Sequence, residues 1–126
     1  MKLQIVVPVY RVYVNIYMFS KQKKLNKINN KILSNFGEEE DSFSCTGRSY
    51  AIYINKDGYR SADIVIDKST ISHGLIAHEV LHSVNHILRY VDIPLTEESE
   101  EAYTTLNHYL IESIYSRFKE LEFTFE

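Results

Sequence analysis

The chain has 126 residues, 44% of them hydrophobic and 25% charged, with a formal net charge of -3. That suits one globular domain with a core of its own and gives no electrostatic reason to expect nucleic acid as a partner. Its single cysteine, Cys45, excludes an intramolecular disulfide and fits a reducing compartment; no stretch approaches the ~20 apolar residues of a membrane helix, so a cytoplasmic protein is expected.

The opening Met1-Lys2-Leu3-Gln4-Ile5-Val6-Val7-Pro8 has the apolar look of a signal peptide. Pro8, Arg11 and Asn15 interrupt it and no small-residue cleavage site follows, so it reads as strand. Residues 3–19 are rich in Val, Ile and Tyr; Pro8 divides them into a short strand and a longer one, or bulges a single edge strand. From Tyr10 onward, Val12, Val14, Ile16 and Met18 alternate imperfectly with Tyr13, Asn15, Tyr17 and Phe19, as in a sheet covered on both faces. Leu25, Ile28, Ile32 and Leu33 then recur at helical spacing, and Lys21, Lys23, Lys24, Lys27 and Lys31 read as the solvated face of that helix. The acidic loop 37–42 lacks the spaced ligands of a calcium loop. Residues 50–54 and 62–66 predict two strands joined through the turn residues Asn55-Lys56-Asp57-Gly58. Ser69 or Thr70 can cap a helix running to about Tyr90, before Pro94, and Thr96 can cap a last helix to about Lys119.

The helix over 70–90 carries the chemistry. Ile76, Ala77, Val80, Leu81, Val84, Ile87, Leu88 and Val91 form an apolar stripe, and His78 and His82 fall nearly opposite it, with Glu79, Asn85 and His86 spread around the polar side. A plain solvent face would carry Lys and Glu, so a cleft is expected there. Histidines four residues apart project side by side from adjacent turns and can reach one Zn²⁺, with a Glu after the first of them beside the metal. This is the H-E-x-x-H pattern, in which the Glu takes a proton from the attacking water and passes it to the leaving amine. His86 continues the row, but about 12 Å of helix rise separates it from His78, so one ion cannot take all three.

A catalytic zinc ordinarily has three protein ligands. The last helix offers candidates: Glu101, Thr105, His108 and Glu112 form a polar stripe on it, and Glu98 is also eligible by phase, so spacing leaves Glu98, Glu101 and His108 open. Tyr103 and Tyr109 could supply a phenol to substrate, though packing is the commoner use of such residues.

The run His78-Glu79-Val80-Leu81-His82-Ser83-Val84-Asn85, followed by Glu101-Ala102-Tyr103, Leu106 and Tyr109-Leu110, resembles the small phage-encoded zincin-like proteins over roughly residues 48–112. More distantly it is similar to the gluzincin arrangement. The resemblance implies an α+β, zincin-like fold: a small antiparallel or mixed sheet, a flanking helix, and two packed C-terminal helices that share a zinc. It implies His78, His82 and Glu101 as metal ligands and Glu79 as general base. Apart from the resemblance, His108, His86 and Tyr103 are the residues placed to meet substrate or support the site. The function implied is peptidase action on a peptide or protein, in the bacterial host cytoplasm. Strand 62–66, if at an edge, would align the substrate by β-addition. The other expectation is a non-catalytic zinc-containing binding or effector protein acting on a host protein.

Overall fold

Pro8 has no N–H to give a ladder, and the chain turns there. In the computed structural model, which describes residues 1–125, β1 (Lys2–Val7) leads through a 3-10 turn (Pro8–Tyr10) into β2 (Val12–Phe19). The two pair antiparallel, Leu3 against Ile16 and Val7 against Val12. Next come α1 (Gln22–Ser34), β3 (Gly47–Ser49), β4 (Tyr53–Ile54) and β5 (Arg60–Asp67). The sheet is mixed: β5 runs parallel to β2 and antiparallel to β3 and β4, in the order β1-β2-β5-β3 with β4 also on β5.

Period-two alternation sends the side chains of each strand to two different cores. On one face Leu3, Ile5, Val14, Ile16, Met18, Ile64 and Ile66 meet α2 (His73–Tyr90) and α3 (Glu100–Glu120). On the other, Tyr17, Phe19, Tyr50 and Val65 meet Leu25, Ile32 and Leu33 of α1. The fold is therefore α+β with a mixed sheet between one helix and a pair. Asparagines on α1 hold the following loop against the helix: Asn26 Oδ1 accepts from Phe43 N at 2.9 Å, and Asn29 Nδ2 donates to Asp41 O at 3.1 Å. That tether brings the chain back to the sheet at Gly47.

Several boundaries differ from those expected. Ser72, not Ser69 or Thr70, caps α2, its Oγ accepting from Leu75 N at 3.0 Å; Asp67 instead caps the 3-10 turn Lys68–Thr70. Thr96 lies in the turn ahead of α3 rather than at its start, bonded to Ser99. Of the strand expected at 50–54 only Tyr53–Ile54 forms, as β4, and β3 lies ahead of that range at Gly47–Ser49. The strand at 62–66 is not an edge, because β5 is paired on both sides. Among the described residues, no helix is long and apolar enough to cross a membrane.

Candidate metal centre

Helix α2 is rotated relative to the apolar stripe expected for it. Its buried residues are Ile76, Glu79, Val80, Ser83, Val84, Ile87 and Leu88, while Leu81 is 59% exposed. The cause lies in the neighbours. β3 offers only Gly47 and Ser49 to this face, so Glu79 fits under it, whereas Leu81 leans to the other flank, into a groove with Leu95, Tyr103 and Asn107. A carboxylate thus lies at 4% exposure beside the core.

His78 and His82 stand outward from the helix. Their Nε2 atoms are 3.2 Å apart, with ring centroids at 4.9 Å and planes at 68°. Two nitrogens bound tetrahedrally to one zinc at ~2.0–2.1 Å would be separated by about 3.3 Å, so this pair of donors fits the ion. Without a metal, one imidazole donates its Nε2 proton to the other. The two arrangements share the separation of the nitrogens and differ in which of them carries a proton.

Glu79 is fixed from the sheet. Ser49 Oγ lies 2.7 Å from the Glu79 carbonyl oxygen and 3.1 Å from its Oε1, so one hydroxyl proton serves both acceptors. Gly47 closes the other side: a Cβ there would stand 2.8 Å from Glu79 Oε2. Tyr50 N donates to Asp63 O and Asp67 N to Thr46 O. In an antiparallel register of Gly47 with Ile66 and Ser49 with Ile64, those bonds turn the backbone groups of Gly47 and Ser49 away from β5. The outer edge of β3 therefore borders the carboxylate of Glu79.

The proposed third ligands are not gathered there. Glu101 lies on the outer row of α3, near Thr105, and lines a groove with Val7, Pro8, Val9 and Tyr10 at the end of β1. His108 is paired with Glu112 at 2.9 Å, both side chains more than 70% exposed at 71% and 74%. Glu98 is exposed in the turn before α3. The physical reason is helical phase: Tyr103, Leu106, Leu110 and Ile114 of α3 point into the core, so Glu101 and His108, on the opposite side of the wheel, point to solvent. No group of three or more His, Cys, Asp or Glu that could hold a metal forms among the described residues. Tyr103 is buried and its hydroxyl donates to Ile93 O at 2.6 Å, which makes it a brace for the α2–α3 turn. Tyr109 donates to Val6 O at 2.6 Å, tying α3 to β1. His86 is half-buried, and desolvation, with His82 and Arg89 nearby, pushes its pKa down.

Gly47 and Ser49 complete the surroundings of Glu79, and neither was assigned a role from sequence. The usable signal was the pair of small residues flanking Arg48 just where a strand had to pass the helix. No protein-family model, curated protein or solved structure matches the chain.

Proposed function

We propose that the protein is a zinc-dependent, zincin-like peptidase, with His78 and His82 holding the ion and Glu79 carrying the proton. The observation that supports it best is the 3.2 Å separation of the two Nε2 atoms, with Glu79 on the intervening turn. When bound, zinc lowers the pKa of a water and polarises a carbonyl oxygen. The chain's own residues supply the rest. The outward N–H and C=O groups of Gly47 and Ser49 take an extended peptide as an added strand, which lays its backbone along β3 beside Glu79. Glu79 accepts a proton from the attacking water and returns it to the leaving nitrogen, while Ser49 Oγ fixes the carboxylate's rotamer. Glu101 is not part of this proposal, because its helix aims it away.

A second reading, a non-catalytic zinc-containing binding protein, is favoured by the burial of Glu79 and by the lack of a third protein donor among the described residues. Glu79→Gln separates the two. Peptide hydrolysis lost by at least about 100-fold with zinc content unchanged supports catalysis. A wild-type protein that binds zinc and hydrolyses no peptide in a mixed-sequence library contradicts the peptidase reading and leaves the binding one.

A further inference from the structure

The face of the sheet opposite the histidines is only half covered. α1 lies over Tyr17, Phe19 and Val65, and beyond it the sheet opens into a groove of about 510 Å³ floored by Gln4, Asn15 and Ser61, a size usual for a small-molecule site. An uncovered sheet face ordinarily carries unconnected polar side chains. This one carries a continuous hydrogen-bonded row. Gln4, Asn15 and Asp63 are register partners across β1, β2 and β5. Gln4 Nε2 donates to Asn15 Oδ1 at 2.9 Å, and Asn15 Nδ2 donates to Ser61 Oγ at 2.9 Å and to Asp63 Oδ1 at 3.1 Å. Ser61 Oγ donates to Asp63 Oδ1 at 2.9 Å, and Tyr53 OH donates to Asp63 Oδ2.

The chemistry of this row fixes its direction. Asp63 Oδ1 accepts from Ser61 and from Asn15, so the Nδ2 side of the Asn15 amide faces Ser61 and Asp63 and its carbonyl oxygen faces Gln4. Gln4 then has to present an N–H to Asn15, which leaves its Oε1 and its second N–H for the groove. Asn15, Ser61 and Asp63 are buried at 5%, 1% and 0% exposure, whereas Gln4 is exposed. The buried polar row therefore holds one exposed amide in a fixed donor–acceptor orientation. Tyrosines flank the row: Tyr17 two residues along β2 on one side, Tyr13 two residues along on the other with Tyr59 packed edge-on at 5.1 Å. Lys2, Lys31 and Lys56 stand around the groove against one exposed carboxylate, Asp57.

We propose that this groove binds a nucleoside monophosphate, the heterocycle lying among the tyrosines with its edge on the Gln4 amide and the phosphate toward the lysines. An amide with one free donor and one free acceptor matches the paired donor and acceptor on a base edge. Aromatic faces take up the ring, and ammonium groups neutralise the phosphate. The site lies on the sheet face away from His78 and does not depend on the peptidase reading.

Calorimetric titration of the full chain with AMP, GMP, CMP and UMP, beside adenosine, ribose 5-phosphate and inorganic phosphate, tests it. At least one nucleoside monophosphate is expected to bind with sub-millimolar Kd, with its nucleoside and inorganic phosphate each at least tenfold weaker. Gln4→Ala and Lys31→Ala alter exposed side chains; each is expected to weaken binding about tenfold with an unchanged circular dichroism spectrum, whereas His78→Ala leaves binding intact. No binding by any of the four nucleotides, inorganic phosphate binding as tightly as they do, or binding undiminished in Gln4→Ala overturns the proposal.

Discussion

Gly47 on β3 lies directly against the carboxylate of Glu79 on α2, so close that a methyl group in its place would stand 2.8 Å from Oε2 and 3.0 Å from Cγ. The strand has no side chain where the helix has a buried carboxyl group. Gly47→Ala therefore forces the Glu79 side chain off its position and off Ser49. The expected result is a fall of about 1–3 kcal/mol in unfolding free energy by urea titration, the usual cost of overpacking, and loss of any Glu79-dependent hydrolysis. A variant as stable as the wild type, with hydrolysis intact, would show that the carboxylate is not held by this contact.

Asp63 accepts from Asn15, Ser61 and Tyr53 at zero exposure. Asp63→Ala strands those donors in the sheet, at a cost of about 2–4 kcal/mol. Asp63→Asn keeps an acceptor oxygen and is expected to cost less. Chemical denaturation of the two variants decides the point: Asn has the same shape as Asp and keeps an acceptor, so a loss in Asp63→Asn as large as in Asp63→Ala would contradict the account in which the acceptors of the row set the cost.

Much of the architecture was legible from the chain. The strand pair around Pro8, the helix after Lys21 and the two C-terminal helices follow from periodicity, whereas the capping residues expected for the last two helices do not cap them. The rest depended on long-range facts. β3 is three residues long, Gly47–Ser49, too short and too polar for an alternating pattern, and its presence both makes β5 internal and gives Glu79 a partner. Wheel phase placed His78 and His82 on the outward side of α2 but put Leu81 inside and Glu79 outside, because the apolar count weighed Leu81 without knowing what lay on either flank. The same limit governed Glu101. Its phase relative to the α3 core was readable, but the side from which α2 approaches was not, and a flank was taken for a cleft. Asn15 and Asp63 lie inside apolar strands and carry no signal of a shared row in the sequence, because only the parallel pairing of β2 with β5 brings them together.

Tyr103 was a candidate for contact with substrate and is instead a brace, its hydroxyl on Ile93 O at 2.6 Å. Tyr103→Phe is expected to cost about 0.5–1.5 kcal/mol of stability, read as a shift in denaturation midpoint, with peptide hydrolysis and zinc content unchanged. A selective loss of turnover without loss of stability would return the phenol to the reaction.

His86 gives a pH signature. Its pKa is lowered from the ordinary 6.5, by burial first and then by His82 and Arg89, so the unfolded chain takes up a proton more readily than the folded one. Its contribution to stability is full above about 6.5 and is lost as pH falls from there toward the lowered folded value. Denaturation midpoints followed between pH 8 and 5 are expected to drop less in His86→Asn than in the wild type. Parallel curves for the two proteins would show that His86 is not desolvated.

The central claim is that the imidazoles of His78 and His82, with their Nε2 atoms 3.2 Å apart, hold one zinc ion beside Glu79. Equilibrium zinc titration of the metal-stripped chain, with metal content read by mass spectrometry, tests it most directly. The account predicts one zinc per chain, a thermal midpoint raised by zinc and lowered again by chelator, and loss of both effects in His78→Ala and in His82→Ala. A wild-type chain that takes up no zinc, or whose zinc survives both substitutions, would contradict it.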